Sequence, residues 1–324
     1  MSILLNHQHL HIELSSKCTL KCPRCPRTEL HPDSLNKEIS LDDFQRAFDL
    51  SLLKEIKTIL FCGDIGDPIY NTDFLEIVQY IKQNSTARIN IVTNASYKSA
   101  EWWTQLGTTL DSSDEVTFSV DGWDQTSNNL YRVNSNFESI VAGAKALRAS
   151  STCNMTWSTI YFRFNEDKID TIRDLVKSLN FNTLRFVKSS KFDGRYNIDD
   201  ADLLKPVNSD YVAQTSQYED FLYPLNGRHI PIKPLVHRTE AHPWAKCIRW
   251  EKDIFINVDG LVLPCPWFNN MYIQNNFVKT HRDKINIKTR TLMEILQDPL
   301  WNELYQSFDT HPFEICQYKC KDAR

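Results

Sequence analysis

Three cysteines lie within eight residues near the start of the chain, in SSKCTLKCPRCPR (Ser15–Arg27), at the spacing C-x3-C-x2-C. Thiolates this close together serve zinc, copper or iron–sulfur clusters, and the spacing discriminates among them. Structural zinc wants a second ligand pair to close its tetrahedron, and the nearest further donor is His31, giving C-x3-C-x2-C-x5-H. A [4Fe–4S] cubane held by three thiolates of one loop instead keeps one iron without a protein ligand. That open iron is a place to bind and activate a small molecule.

Cys18, Cys22 and Cys25 resemble the signature of the radical S-adenosylmethionine (SAM) enzymes, which carry C-x3-C-x2-C in the loop after the first strand of a partial (βα)6 barrel. The resemblance implies that the open iron chelates the amino and carboxylate groups of SAM. It also implies that reduction splits SAM to a 5′-deoxyadenosyl radical, which takes a hydrogen atom from substrate. Arg24 departs from the pattern, because an aromatic residue usually precedes the third cysteine; ligation is untouched, while packing around the adenine edge changes.

Further fragments of the same family pattern follow in order, each at the end of an expected strand, where barrel folds collect their chemistry. CGDIGDP resembles the Gly-Gly-Glu-Pro stretch that meets the SAM amino group, through Gly63, Asp64, Gly66, Asp67 and Pro68, with aspartate in place of glutamate. VTNA resembles Thr-Asn-Gly, through Thr93 and Asn94. FSVDGWDQTSNNLYR resembles a Ser-x-Asp-Gly then Arg pattern, which places Ser119, Asp121 and Arg132 toward the ribose or the SAM carboxylate.

Four of the nine cysteines fall late in the chain. Cys247, Gly260 and Cys265 are spaced C-x12-G-x4-C, and Cys316 and Cys320 follow. This resembles the SPASM and shorter twitch extensions of radical SAM enzymes, and four cysteines fit the twitch form. The implied ligand set is one auxiliary [4Fe–4S] cluster on Cys247, Cys265, Cys316 and Cys320, fully ligated and so suited to electron transfer. The same four thiolates would equally build a zinc site. Cys62 and Cys153 read as small buried hydrophobes, and His7, His9 and His11 as strand histidines.

The elements that must position these residues show in the hydrophobic period. Short β-rich runs at 9–15, 58–63, 89–94, 115–120, 156–164 and 183–188 alternate with amphipathic segments at 41–53, 73–83, 99–110, 137–148 and 168–179. The rhythm implies an α/β fold of about six βα units with a parallel sheet, open or curled into a partial barrel; the resemblance implies the partial (βα)6 TIM-like barrel, over 1–205. An irregular, proline-bearing linker or substrate cover follows at 206–246. A small twitch domain of β-hairpin plus helix closes the chain at 247–324. Asp259-Gly260 reads as a two-residue turn pairing Val258 with Leu261 and so Cys265 with Ile254, and Pro299 interrupts a helix over 291–308. Strand parity offers Tyr161 with Arg163, and Phe186 with Lys188, as cavity-lining side chains, with Tyr161, Arg163 and Lys188 as candidate catalytic groups.

A chain of 324 residues is long enough to bury a sizeable core, and a net charge of −4 with a pI near 6.1 excludes nucleic acid as the default partner. No secretory signal and no long apolar run is present, so the expectation is a cytoplasmic protein without a membrane span. The implied activity is a radical SAM oxidoreductase that removes hydrogen from a small molecule and passes an electron to the auxiliary cluster. A low-potential donor such as flavodoxin or ferredoxin would be its partner. A peptide- or protein-modifying enzyme forming thioether, C–C crosslink or epimer is the alternative, and a non-catalytic Fe–S or zinc protein the third reading. The cluster loop beginning at residue 18 tilts the expectation toward a small molecule, or a peptide bound without a leader module.

Overall fold

The computed structural model describes residues 8–25, 27, 36–188, 192, 203–212, 220–224, 254–269, 276–310 and 313. Along the chain come β1 (His9–Ile12), α1 (Leu41–Ala47), α2 (Leu50–Glu55), β2 (Thr58–Phe61), α3 (Phe74–Asn84), β3 (Arg88–Thr93), α4 (Ala100–Thr109), β4 (Glu115–Ser119), α5 (Gln125–Asn129) and α6 (Phe137–Ser150). They are followed by β5 (Asn154–Ile160), α7 (Ile169–Ser178), β6 (Thr183–Val187), β7 (Asp220–Pro224), β8 (Ile254–Ile256), β9 (Val262–Leu263), α8 (Asn276–His281), α9 (Leu292–Leu296) and α10 (Pro299–Thr310). The chain divides into two compact units, one of Met1–Ser16, Asn36–Arg88 and Pro231–Arg324, the other of Lys17–Leu35 and Ile89–Ile230.

In the first unit β1 is central, parallel to β2 on one side (Ile12 opposite Phe61) and to β8 on the other (Ile12 opposite Ile256). The C-terminal hairpin therefore joins the N-terminal strand directly. Helix α3 buries Phe74, Ile77, Val78 and Ile81, the i, i+3, i+4, i+7 stripe of a core-facing helix, and Phe74 meets Phe61 of β2 edge-on. The helix expected at 41–53 is two helices. The Asp49 carboxylate accepts the Ser51 and Leu52 N–H groups and starts α2 afresh.

The hairpin register also differs from expectation by one residue. Ile256 pairs with Val262 and Phe255 with Leu263, so the loop has three residues, Val258, Asp259 and Gly260. Gly260 takes φ +85°, the left-handed position at which a three-residue hairpin closes. Asn257 completes the turn, its Oδ1 accepting the N–H groups of Asp259 (3.1 Å) and Leu261 (2.9 Å). In this register Cys265 is not the partner of Ile254.

In the second unit β3, β4, β5 and β6 run parallel in that order, and β7 pairs antiparallel with β6 inside the stretch expected to be irregular. Trp103 of α4 packs on Phe118 of β4, Phe137 of α6 on Trp157 of β5, and Phe181 lies edge-on to both strand aromatics. Burial of each such ring is worth about 1.5–3 kcal/mol. This core fixes which parity faces the helices. Val116, Phe118, Met155, Trp157, Leu184 and Phe186 do, and the alternate positions Thr117, Ser119, Thr156, Ser158 and Arg185 present a polar face on the other side.

Candidate cluster and cosubstrate site

The cysteine loop belongs to the second unit and rests on an apolar bed. Leu20 and Cys22 are buried with Tyr131, Phe162 and Phe192, and Cys18 and Cys25 pack against the same cluster, half-buried. Two hydrogen bonds tie the loop to the segment after α5, from Lys21 N–H to Val133 O (3.0 Å) and from Asn134 Nδ2 to Thr19 O (2.7 Å). A turn from Cys25 N–H to Cys22 O (3.3 Å) brings the second and third cysteines round. Arg24, in place of the usual aromatic, has φ +59° and lays its guanidinium over the Phe192 ring at 4.8 Å.

The DGWDQTSNNLYR stretch folds back on itself to bring Arg132 to this loop. Asp124 and Ser127 form a reciprocal capping box that starts α5, and Asn128 Oδ1 accepts the N–H groups of Asp121 (3.0 Å) and Gly122 (3.2 Å). Asp121 is wholly buried, its Oδ2 accepting Arg132 Nε at 2.6 Å and its Oδ1 the Ile160 N–H at 2.7 Å. Both carboxylate oxygens are thus engaged by protein groups. Asp121 orients Arg132, and Arg132 lies within hydrogen-bonding reach of Cys22.

Burial pushes the Asp121 carboxyl up, and the charge of Arg132 and the Ile160 N–H pull it back; the guanidinium is held charged by Asp121. We take the pair as ionised, because an arginine does not give up its proton in a protein and the 2.6 Å bond is of charge-assisted length. Burial also pushes the Cys22 thiol up to about 11, against the pull of Arg132.

Thr93 and Asn94 sit at the end of β3. Asn94 Nδ2 donates to Cys18 Sγ at 3.6 Å while its Oδ1 accepts Ser96 N–H at 3.0 Å, which fixes the amide with its NH₂ toward the sulfur. Thr93 Oγ1 accepts Ala95 N–H at 3.0 Å, and Ala95, where the family pattern has glycine, is held at φ +59°. Ser119 ends β4 half-buried on the polar face.

In the first unit the loop after β2 is drawn tight. A Cβ on Gly66 would lie 1.9 Å from Ser15 O, so only glycine fits there. Asp67 is buried and caps the 3-10 turn Pro68–Tyr70, while Asp64 is exposed. Beneath them lies Glu13, which the sequence reading passed over. It is fully buried and accepts the Ile65 N–H at 2.8 Å. Burial, then the charge of Asp64, pushes its carboxyl up to about 8. His11 bonds the Cys62 carbonyl at 2.8 Å through Nε2 and lies edge-on to Phe255; burial lowers its pKa.

The strand expected to carry Tyr161 and Arg163 stops before them. β5 ends at Ile160, because Phe162 N–H turns onto Asn165 Oδ1 and the chain enters a turn. Tyr161 is buried between Phe186 and Tyr211, stacked on both. Arg163 is exposed and donates to Lys205 O, and Lys188 is half-buried just past β6. Arg185 instead stands on the polar face, its Nε and Nη2 on Ser158 Oγ (3.3 and 3.2 Å).

Of the later cysteines Cys265 is described, half-buried, at the start of the Pro266–Asn269 turn; Cys247, Cys316 and Cys320 lie outside the described residues, as does His31. Phe268 packs edge-on against Phe313 at 4.9 Å, three residues before Cys316 in sequence.

The chemistry of the donors fits a cluster. Three thiols share one loop over an apolar bed, with Asn94 and Arg132 directing hydrogen-bond donors at two of the sulfurs, the arrangement that steadies sulfur ligands and tunes a cluster. Among the described residues no three His, Cys, Asp or Glu side chains gather round a point that a single metal ion would occupy. Among these residues, too, no helix is long and apolar enough to cross a membrane.

Comparison with known proteins agrees with this geometry. The radical SAM superfamily model matches residues 12–181 and an iron–sulfur cluster-binding domain model matches 247–321. GTP 3′,8-cyclase of Yersinia pestis is 23% identical over 184 residues, 56% of this chain and 54% of that protein. The probable GTP 3′,8-cyclase of Methanococcus maripaludis is 28% identical over 148 residues, 44% of this chain and 46% of that one. The chain spans about half the length of the curated relatives it matches.

Among solved structures, Streptococcus suis SuiB superposes with TM-score 0.59 at 16% identity, covering 93% of this chain and 68% of that one. Native anSMEcpe with bound AdoMet gives 0.56 at 17% identity, covering 97% and 91%. The shared fold is the α/β partial barrel that the family resemblance implies. With its superfamily model matched over more than half of its length and an iron–sulfur domain behind it, the chain belongs to the radical SAM superfamily.

Proposed function

We propose that the chain is a radical SAM oxidoreductase that removes hydrogen from its substrate in a two-electron oxidation. The observation that carries this is the Cys18–Cys22–Cys25 loop, with Asn94 donating to the Cys18 sulfur and Arg132 within reach of Cys22. These three cysteines would hold the first [4Fe–4S] cluster, and Cys247, Cys265, Cys316 and Cys320 the auxiliary one. When bound, the first cluster with SAM supplies a hydrogen-abstracting 5′-deoxyadenosyl radical and the second supplies an electron sink.

The chain's own residues do the rest. The apolar bed under Cys22 keeps water from the sulfurs, Asp121 holds Arg132 in place, and the tight loop Gly63–Asp67 offers backbone to the SAM amino group. The polar face of Thr117, Ser119, Ser158 and Arg185 orients substrate. Flavodoxin or ferredoxin would deliver the electrons.

Anaerobic reconstitution tests the reading. About eight irons per chain are expected for two [4Fe–4S] clusters, with 5′-deoxyadenosine formed on adding SAM and reductant. Replacing Cys18, Cys22 and Cys25 together by alanine should roughly halve the iron and abolish SAM cleavage. Zinc in place of iron, with no SAM cleavage, would leave only a metal-binding protein.

The substrate is read first as a small molecule, with a peptide as the second reading. One observation favours the peptide. Structures matching 92–94% of this chain were solved with peptides bound, SuiB with its precursor peptide SuiA and anSMEcpe with Cp18Cys peptide. Mass change in candidate peptides after turnover decides between them.

A further inference from the structure

Glu13 takes no part in the function proposed above, yet it is completely buried just past β1. Its carboxylate is surrounded by backbone donors. Ile65 N–H reaches Oε1 at 2.8 Å, Val258 N–H reaches Oε2 at 3.3 Å, and the Asp64 N–H is a third donor. Asp64 and Ile65 belong to the loop after β2. Val258 opens the turn between β8 and β9, 245 residues further along. A buried side chain serving only to fill space here would be apolar, because a carboxylate is costly to bury unless its oxygens are satisfied.

Both partners of this carboxylate are built without slack. On the loop side, Gly66 lies so close to Ser15 that no Cβ could be added, so a small displacement of the chain at Ile65 carries Gly66 with it. On the hairpin side, Asn257 holds the turn in shape. Its Oδ1 takes two backbone N–H groups and its Nδ2 donates to Asn269 Oδ1 at 2.8 Å, which leaves the Val258 N–H pointing at Glu13. The hairpin is placed for this contact by the parallel pairing of β8 with β1.

We propose that Glu13 is a positioning residue that fastens the loop 63–67 to the C-terminal hairpin, so that the backbone offered to SAM depends on the hairpin being folded against β1. The iron–sulfur domain then serves the cosubstrate site mechanically as well as through its cluster. The inference rests on reading 63–67 as the SAM loop.

The test uses the reconstituted full chain and three readouts: iron content, amide hydrogen exchange at 63–67 and 257–261, and SAM affinity with KM and kcat for 5′-deoxyadenosine formation. Glu13→Gln keeps the shape but turns one acceptor oxygen into an NH₂ group that faces a backbone N–H. With iron content unchanged, it should raise exchange in both segments together and raise the SAM Kd and KM about tenfold, with kcat within about twofold. Asn257→Ala, which loosens the turn without touching the loop, should raise the KM in the Glu13 background and add nothing further in Glu13→Gln, as coupled residues behave.

Unchanged SAM affinity in Glu13→Gln, faster exchange in one segment only, or independent multiplication of the two effects would each overturn the proposal. Should Glu13→Gln fail to hold iron, Asn257→Ala alone decides, and an unaltered KM sinks it. A wild-type chain that binds no SAM defeats the functional reading instead, and the exchange measurement still judges the clamp.

Discussion

Two of the carboxylates that are completely buried among the described residues, Glu13 in the first unit and Asp121 in the second, are held by different chemistry. In the second unit Asp121 meets a cation, Arg132, together with one backbone N–H. In the first unit Glu13 meets backbone N–H groups from two distant segments, and its charged neighbour is another acid, Asp64. An ion pair fixes the direction of one long side chain, here a guanidinium brought to the Cys22 sulfur. A carboxylate satisfied by amides fixes loops. Removing the acid should therefore cost differently in the two places.

The larger loss is expected at Asp121. Asp121→Ala leaves Arg132 buried to 16% exposure without its counter-charge, and breaking such a pair costs about 3–5 kcal/mol. Urea unfolding of the anaerobic protein measures it. A loss under about 1 kcal/mol would mean that water or another acceptor takes over the guanidinium, and the contrast with Glu13 would collapse.

At Glu13 the signature is pH. Its carboxyl is pushed up to about 8 from an ordinary 4.5. Below the ordinary value both the folded and unfolded chains hold the proton and the contribution to stability is complete. As pH rises toward 8 the folded chain keeps a proton that the unfolded chain has released, so stability falls, by at most about 1.4 kcal/mol per unit. Glu13→Gln should flatten that slope when unfolding is compared at about pH 5.5 and about pH 7.5. Parallel slopes in the two proteins would show that Glu13 stays ionised, with its amide donors outweighing burial.

What the sequence disclosed follows the same division between local and distant. The cysteine loop, the strand ends and the DGWDQTSNNLYR return are contiguous, and their chemistry was readable from residue order. Glu13 was not, because in HLHIEL it has the alternation of an ordinary strand residue and its partner Val258 lies far along the chain. The end of β5 was not legible, because the aromatic run YFRF looks like continued strand whereas the chain turns after Ile160. The alternation in TLRFV, with Leu184 and Phe186 apolar and Thr183 and Arg185 polar, was the signal that would have assigned Arg185 to the open face. The hairpin was legible and its register was not. Asp-Gly suits a two-residue turn, but Asn257 rewards a three-residue one with two side-chain hydrogen bonds.

The smallest effect concerns a third way of holding a group in place, by strain. Ala95 is buried at φ +59°, a conformation forced on it by Thr93 Oγ1 on its N–H and by the Asn94 amide bridging Ser96 and Cys18. An L-residue with a Cβ pays about 1–2 kcal/mol for that backbone region, and glycine gives part of it back through its greater freedom when unfolded. Ala95→Gly should therefore stabilise the chain by about 1 kcal/mol, seen as a higher urea midpoint at unchanged slope. If it destabilises instead, the Ala95 methyl contributes more by packing than the backbone loses. The Cys18 side of the loop would then be held, like the Asp121 side, by attraction alone.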